Sequence, residues 1–531
     1  MVTIRQLSLS LALLLTAAAS LEAQNVKDIA SYSLLAPSVT ARSLALGNAM
    51  GAVGGDLYML HSNPAGIALC RGLDLSLGAS TSFLRTQSDL LGAHATSKKL
   101  QLDFDGTGAL FAINFNRGPE QEGVISLHFG LDYSTLRHFG GSDRMSARSQ
   151  DGNSFAAGLA AASNAAKLVP EDLLSTDTYD AYLSQDWNAV QAYDSYFITD
   201  DAAWAQNPDG SYKLDSKKNY IRTAWYDFKP QWAPNEPLEQ TRQVTHSGAL
   251  REFAFAFALN VSHRFYLGVA LGVQGSNHDW TQTHQEASLD PNKASGLRSA
   301  TITQKNKERG LGVNLKLGAV FRATDYLRLG FAFHTPTYMR IKSNFNLTTN
   351  TEFLSFDRPW LPKGPDTEVV SPDGRDSYSF STPLRLQLSA AGFLGKYAFI
   401  DFDYEMAYLP LASFEDASRF EQENLTIQEA TRPIHEFRLG VEGNLGFLGL
   451  RLGGGYQLPV FSDKLAPLQL SRWYVSGGIG FNFSIVYLDL AYRHAVGGYH
   501  DLLYSVGGYQ RKFSQLEQRG QLLMTLGLAF H

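Results

Sequence analysis

The sequence predicts an all-β fold: a 14-stranded antiparallel transmembrane β-barrel with an N-terminal hatch inside the lumen and helical segments in its extracellular loops. Three observations predict it. The chain starts with an apolar leader. Later segments of about ten residues alternate apolar with polar side chains. The connections between these segments are short and long in turn.

The leader, residues 1–23, has the features of a secretory signal peptide. Arg5 provides a positive charge, and the stretch from Leu7 to Ala18 is apolar but too short to span a bilayer. Ala23 is a small residue after which signal peptidase would cut. We therefore expect the chain to be exported, and we expect residues 1–23 to contribute nothing to the fold.

The composition beyond the leader favours membrane-spanning strands over membrane-spanning helices. No later stretch approaches the roughly 20 continuous apolar residues that a membrane helix requires. Charged residues are 18% of the chain, whereas Gly (47), Tyr (24) and Phe (32) are frequent. A single cysteine, Cys70, allows no intramolecular disulfide. The net charge of -6, without a basic run, excludes nucleic acid as a partner.

Fourteen segments place apolar residues on one face and small or polar residues on the other. In the clearest of them Leu127, Phe129 and Leu131 face one way, and His128 and Asp132 face the other. Near residues 106–108 the outward apolar residues change from even to odd positions, and such a change within one strand predicts a β-bulge. Lipid offers the backbone no hydrogen bonds, so only a closed sheet satisfies every backbone group.

The connections and the aromatic residues predict which end of each strand lies on which side of the membrane. Short turns follow the even strands and long segments follow the odd strands, which places both termini and all tight turns on the periplasmic side. Two aromatic girdles are expected at the two interfaces. They are formed by Phe115, Phe321, Phe483 and Phe530 at the turn end, and by Phe83, Tyr133, Trp473 and Tyr492 at the outer end.

Residues 24–71 precede the first strand and are predicted to form the hatch, and residues 72–531 are predicted to form the barrel. The hatch segment is rich in small residues but too apolar for a solvated tail. Its sequence from Ala41 to Ala49 (ARSLALGNA), followed by Asn63-Pro64-Ala65-Gly66, resembles the hatch of the FadL/TodX family of hydrophobic-compound channels. The segments RLGFAFHTP (328–336), TPLRL (382–386) and DFDYE (401–405) resemble barrel strands of that family.

The resemblance covers the whole mature chain and implies a barrel that takes up long-chain fatty acids or aromatic hydrocarbons. It also implies that the hatch binds the ligand or gates the channel through Asn63, Pro64, Ala65 and Gly66. The segment after strand 3 is longer than this family leads us to expect. Capture of the ligand at the outer face is therefore expected to differ.

That long segment, residues 136–250, is predicted to contain two helices. The first runs over 154–168 behind a cap at Asn153. The second is indicated by apolar residues at three- and four-residue spacing. These residues either pack as a cap over the barrel mouth or form an apolar groove that first captures the ligand. They are Tyr179, Leu183, Trp187, Val190, Tyr193 and Phe197.

Both signs of charge occur at positions predicted to face the lumen. The acidic ones are Asp132, Asp401, Asp403, Glu405, Glu442 and Asp489, and the basic ones are Arg328, Arg385, Arg438, Arg451 and Arg493. One interpretation is a structural ionic network that anchors the hatch. The other is that one arginine binds a fatty-acid carboxylate, which a guanidinium fits bidentately.

We expect a non-enzymatic protein of the bacterial outer membrane that passively admits hydrophobic compounds. Motifs of nucleophilic hydrolases, zinc peptidases and phosphate-binding loops are absent from the sequence. We expect the protein to have no catalytic residue, metal or cofactor. We expect it to be a monomer that contacts a hydrophobic small molecule and membrane lipid. The alternatives are a scaffold or shuttle in protein secretion, and uptake of haem or another hydrophobic ligand.

Overall fold

The structure is a computed structural model that describes residues 26–530 apart from 116–121, 177, 210, 212, 215–220, 291–295, 355–366, 463–469 and 507–508. The predicted signal peptide, residues 1–23, lies outside the described residues. None of the described helices is long and apolar enough to cross a membrane.

Strands make up most of the described chain. They are β1 (Leu73–Leu90), β2 (Ala93–Asn114), β3 (Val124–His138), β4 (Gly141–Ser149), β5 (Ile198–Trp204), β6 (Arg222–Pro230), β7 (Leu238–Val261), β8 (Phe265–Ser288), β9 (Leu297–Arg322), β10 (Leu327–His334), β11 (Tyr338–Phe353), β12 (Thr367–Val370), β13 (Gly374–Ser381), β14 (Arg385–Leu394), β15 (Ala398–Ala407), β16 (Ser413–Phe414), β17 (Ile434–Asn444), β18 (Leu448–Gln457), β19 (Leu470–Phe483), β20 (Val486–Val506) and β21 (Tyr509–Phe530).

Fourteen of these strands form a closed antiparallel barrel, which confirms the predicted fold class. Around the ring the order is β1, β2, β3, β7, β8, β9, β10, β14, β15, β17, β18, β19, β20 and β21, and β21 pairs back with β1. Short strands extend four ring members: β4 continues β3, β11 continues β10, β13 precedes β14, and β16 follows β15. A separate hairpin is formed by β5 and β6.

The outer surface of the barrel carries the apolar residues that the alternation predicts. Leu77 is 51% exposed and Leu452 is 69% exposed, whereas inward neighbours such as Ser82 are buried. The eight girdle residues named above are between 38% and 62% exposed. An outward band of exposed apolar side chains is stable only in contact with hydrocarbon, so the barrel is a transmembrane one.

A β-bulge in β2 lies at Asp105, directly before the position predicted for it. Gly78 of β1 pairs with Gly106, but Ala79 pairs with Phe104, so Asp105 is the extra residue. The ladder between β2 and β3 also begins at Gly106. Among the described strands, the part of β2 before the bulge therefore pairs with β1 only.

Some connections predicted to be long loops are extensions of the strands, which corrects the predicted strict alternation of connections. β1 and β2 are joined at Leu91-Gly92, and β20 and β21 are separated by two residues only. The strand β9 begins at Leu297, well before the apolar pattern starts at Leu311. Lipid imposes apolar-out alternation over a band of about 25 Å. Beyond that band the outer face meets water, so polar residues occupy both faces and the pattern disappears.

The helices lie in the N-terminal segment and in the long connections. They are α1 (Val26–Ser33), α2 (Ala41–Ala45), α3 (Phe155–Ala165), α4 (Ala181–Ser184), α5 (Trp187–Asp194) and α6 (Glu421–Ala430), with 3₁₀ helices η1 (Leu57–Leu60), η2 (Pro64–Leu69), η3 (Pro170–Leu173) and η4 (Leu409–Leu411). The first predicted helix is shorter than expected, and its cap is Ser154, whose hydroxyl accepts from Ala157 N at 2.9 Å, rather than Asn153.

The predicted second helix over 179–197 is wrong as a single element, because the structure has the two short helices α4 and α5 there. Asp186 separates them: its carboxylate accepts from the N–H groups of Asn188 and Ala189, both at 3.0 Å, and caps α5. A residue at an N-cap has extended backbone angles, so the chain cannot continue helically through it. These helices pack with Leu297, Ile302 and other residues of the strand extensions in one apolar cluster.

Candidate functional site

Residues 26–72, called the N-terminal segment below, fill the interior of the barrel. Leu44, Leu46 and Met50 are completely buried. The segment is held at well-separated points of the ring: Ala41 N donates to Thr525 Oγ1 of β21 at 2.8 Å, and Met50 N donates to Asp403 of β15 at 3.2 Å. Because its contacts reach well-separated strands, the segment spans the lumen.

Asn63, Pro64 and Ala65 lie directly against the barrel wall at two glycines. Asn63 Nδ2 donates to the carbonyl oxygen of Ala319 in β9 at 3.2 Å. A Cβ added at Gly318 would lie 2.1 Å from Asn63 Oδ1, and one added at Gly268 would lie 2.4 Å from Ala65 N. Any larger residue at either position would therefore push the segment off the wall.

A second glycine contact lies on the other side of the lumen, where α2 ends. A Cβ at Gly453 in β18 would lie 2.1 Å from the carbonyl carbon of Leu46. Gly47 has φ +64° and approaches the next residue of the same strand, since its Cβ would lie 2.6 Å from Gly454 N. The fourth predicted hatch residue, Gly66, is buried and contacts Met59 within the segment rather than the wall.

His61 joins the N-terminal segment to two strands through buried carboxylates. Its Nδ1 lies 2.8 Å from Glu252 Oε1 of β7, and its Nε2 lies 2.5 Å from Asp132 Oδ2 of β3. Glu252 also pairs with Lys316 of β9, whose ammonium donates to the carbonyl oxygen of Leu60 at 3.4 Å. All four charged side chains are nearly fully buried, at 4% exposure or less.

The charge on His61 follows from these two carboxylates. Burial alone would lower the pKa of His61, but the hydrogen bonds and negative charges of Asp132 and Glu252 outweigh it and raise the pKa above its ordinary value. The imidazolium then donates from both ring nitrogens. Two positive groups, His61 and Lys316, balance two negative ones. His61 was not among the predicted site residues; the signal for it in the sequence was a titratable residue inside a segment predicted to be enclosed.

Two predicted lumenal arginines, Arg385 and Arg438, share one carboxylate. Arg385 Nη1 lies 2.5 Å from Glu405 Oε1, and Arg438 Nη2 lies 2.9 Å from Glu405 Oε2. Arg385 also donates to the carbonyl oxygen of Ser33 at the end of α1. Both arginines are therefore parts of an ionic network that contacts the N-terminal segment.

The next two, Arg451 and Arg493, are also paired inside the barrel. Arg451 bridges Glu442 at 2.8 Å and Asp489 at 2.5 Å. Arg493 donates to Gln521 Oε1 at 2.9 Å. These contacts occupy the guanidinium groups with protein partners.

Arg328 differs from Arg385, Arg438 and Arg451, which pair with carboxylates. Among the described residues neither Arg328 nor Arg493 forms an ion pair; Arg328 donates to the carbonyl oxygen of Val53 at 3.1 Å and lies over the ring of Phe393 at 4.3 Å. It lines a cavity of about 630 Å³ between the N-terminal segment and the turn end of the barrel. The apolar part of this lining includes Val53, Leu69, Ile125, Tyr266, Phe393 and Phe399.

The structure does not gather the predicted outer-mouth residues into one open surface. Val190 and Phe197 are 2% and 1% exposed in the apolar cluster, with Tyr179 and Tyr193 packed against it. Trp187 contacts Phe345 of β11 at 4.8 Å between ring centroids. Only Leu183, at 84%, is largely exposed within this group.

No family model matches the sequence, and no curated protein matches it significantly. Several solved structures do match over nearly the full length of this chain. The Pseudomonas putida toluene transporter TodX is 13% identical with a TM-score of 0.50, covering 94% of this chain and 100% of that one.

A Pseudomonas aeruginosa FadL homologue is 12% identical with a TM-score of 0.49, covering 94% of this chain and 100% of that one. The Ralstonia pickettii toluene transporter TbuX is 12% identical with a TM-score of 0.46, covering 93% of this chain and 99% of that one. At such low identities a likeness to a solved structure establishes the fold and not the ligand. The chain has the fold of the FadL/TodX family, in agreement with the resemblance found in its sequence.

Proposed function

We propose that this protein is an outer-membrane channel that takes up hydrophobic compounds, with long-chain fatty acids as its ligands, and that the N-terminal segment gates it. The observation that carries the proposal is a transmembrane barrel closed from within by a segment that leaves an amphipathic cavity beside it. The likeness to TodX, described as a toluene transporter, supports a hydrophobic ligand.

The cavity supports a ligand with a carboxylate. Arg328 is a guanidinium that forms no ion pair with a carboxylate of the described residues, and it lies over the apolar ring of Phe393. Much of the remaining lining is polar and carries the cations Arg42, Arg71, Arg322 and Lys396 beside one carboxylate, Glu442, which favours an anionic ligand. A carboxylate would give Arg328 a bidentate partner, and the alkyl chain would contact Phe393 and Phe399.

Gating by displacement of the N-terminal segment requires that the ligand prefer the displaced state. Burial of an alkyl chain contributes about 0.8 kcal/mol per CH₂, so a long chain supplies on the order of 10 kcal/mol. That is comparable with the cost of breaking several buried polar contacts of the segment. Short carboxylic acids lack this apolar area and would not open the channel.

Uptake of labelled oleate, in a host that lacks its own transporter, tests the function and the role of Arg328. We expect the intact protein to restore uptake. Arg328→Ala should lower oleate uptake roughly tenfold to a hundredfold, since a hydrogen bond to a charged group contributes about 1.5–3 kcal/mol. Uptake of toluene, which has no carboxylate, should be unaffected by Arg328→Ala.

The matched control is Arg322→Ala, because Arg322 lines the same cavity but pairs with Asp325 at 2.9 Å. Equal losses for the two variants would exclude a specific carboxylate contact at Arg328. Uptake no better than in the empty host, together with a secreted protein that purifies with the barrel, would favour the secretion scaffold instead.

The proposal also places the tight turns in the periplasm and the segment 154–198 outside the cell. A protease added to intact cells should cut this segment and leave the turn at residues 395–397 intact until the outer membrane is permeabilised. The two sites lie at opposite ends of the barrel, so each is the control for the other. Cleavage at 395–397 in intact cells would show the reverse orientation.

A further inference from the structure

Six exposed cations form a patch on the outer face of three adjacent strand segments. They are Lys305, Lys307 and Arg309 of β9, Arg340 and Lys342 of β11, and Arg375 of β13. Each lies at an outward position, because its neighbours along the strand are buried or less exposed and face the interior. We call this set the basic patch.

Strand pairing brings these residues close together. Arg309 lies directly opposite Lys342, Arg340 opposite Leu311, and both Lys307 and Arg375 lie opposite Asn344. Opposed residues on one face have Cβ atoms roughly 5 Å apart. Alternate residues along a strand are about 7 Å apart. The patch therefore forms a compact, two-dimensional array of positive charge.

The protein supplies little negative charge to balance the array. Asp279 of β8 bonds to Arg309 at 2.5 Å and lies opposite Lys307, and the side chains of Arg309 and Asp279 are about half-exposed. Among the described residues the other five cations form no ion pair. Like charges placed directly opposite one another, such as Arg309 and Lys342, destabilise a sheet. An anionic partner from outside the chain would remove this penalty.

The position of the patch along the barrel indicates what that partner is. Directly next to it, towards the turn end, the outer face becomes apolar: Leu311 is 63%, Val313 47% and Tyr338 50% exposed. The basic patch thus lies at the edge of the hydrocarbon band, where lipid headgroups lie. A phosphorylated lipid has the same vertical order, with anionic groups above acyl chains.

The geometry points to a binding site for the phosphates of lipid A, the phosphorylated glycolipid of the outer leaflet, at the basic patch. This inference rests on the orientation in the proposed function, with the long connections outside the cell. The guanidinium group of Arg340 binds phosphate oxygens bidentately, and the ammonium of Lys342 and the guanidinium of Arg309, which also bonds to Asp279, add positive charge. The acyl chains lie along Leu311, Val313 and Tyr338.

Native mass spectrometry of the purified full-length protein with lipid A tests the site. The variant is Arg309→Gln, Arg340→Gln and Lys342→Gln combined; the control is Arg144→Gln, Arg148→Gln and Arg298→Gln, three exposed cations farther from the apolar band. A cation near an anionic lipid surface strengthens binding about fivefold, so three should account for roughly a hundredfold. We expect the intact protein and the control to bind lipid A, and the variant to bind it roughly a hundredfold more weakly.

Three probes separate the possible sources of binding: lipid A, lipid A without its phosphates, and inorganic phosphate. We expect only the first to bind tightly to the intact protein. Equal affinity for the dephosphorylated lipid, or equal affinity of variant and control for lipid A, would overturn the site. Competition by inorganic phosphate at the lipid concentration would show a general anion site instead.

A single change, Lys342→Gln, guards against misfolding of the triple variant. It removes one of two opposed like charges, so it should keep or raise the thermal stability of the barrel while weakening lipid A binding about fivefold. Unchanged binding would count against the site.

The site and the proposed function can fail independently. Loss of oleate uptake with intact lipid A binding would refute only the proposed ligand. Cleavage of the 395–397 turn in intact cells would refute the orientation.

Discussion

Deletion of residues 25–66 should turn the closed barrel into an open pore and strongly raise its nonspecific ion conductance in planar lipid bilayers. The segment reaches from β21 to β9 and β15 across the lumen. Its removal exposes inward charges such as Asp403 and Arg438, which favour water and ions in the lumen. This is the largest effect that we expect from any change to the chain.

The control for this deletion is removal of 181–184, the short helix α4, which lies in a long connection and not in the barrel lumen. It should leave the conductance at the level of the intact protein. If the deletion of residues 25–66 also leaves conductance unchanged while the barrel is folded, the lumen is closed by other residues and the N-terminal segment is not the gate.

Replacement of His61 by leucine should loosen the N-terminal segment from the wall. The change removes both hydrogen bonds from the ring and leaves Asp132 and Glu252 buried with the single cation Lys316. Breaking a buried ion pair in this way costs about 3–5 kcal/mol. We expect brief channel openings in bilayer recordings and faster hydrogen exchange in residues 26–72. His94→Leu is the control, because His94 is 82% exposed at the β1–β2 hairpin.

The same site predicts a dependence on pH. The pKa of His61 is raised while the N-terminal segment is bound in the lumen. The free energy that His61 contributes to this binding is therefore fully present below the ordinary histidine pKa of about 6.5, and it is lost as the pH rises through the raised value. Openings of the intact protein should therefore become more frequent as the pH rises through the raised pKa of His61. The His61→Leu variant should lack this dependence, and an identical pH profile in both proteins would assign it to another group.

The strand count and the outward faces could be predicted from the sequence because lipid imposes a strict alternation on each strand. The bulge beside Gly106 was also predictable, since a change of parity within one strand requires an extra residue. The ends of β8 and β9 were not, because their extensions lie outside the lipid. The break between α4 and α5 depends on the side-chain cap of one polar residue, Asp186, and the spacing of the apolar residues does not indicate such a cap.

The candidate site was predictable in its residue types but not in its contacts. The inward arginines follow from the alternation, yet which of them is paired depends on neighbours across the sheet. Arg451 and Asp489 are 38 residues apart in the chain, and Arg385 and Glu405 are 20 apart. The partners of His61 are 71 and 191 residues away. No local pattern encodes such distances, so neither the unpaired Arg328 nor the His61 cluster could be found without the structure.

Pairing of the first strand with the last has a consequence for the order of assembly. Ala41 and Ser38 bond to Thr525 and Gln521 of β21, 484 and 483 residues further along the chain. The wall that receives these groups exists only once β21 has closed on β1. The part of the chain that is synthesised first is thus the part whose surroundings are completed last. Until that closure, the N-terminal segment must be kept from aggregation by factors outside its own fold, because contacts of such long range form slowly.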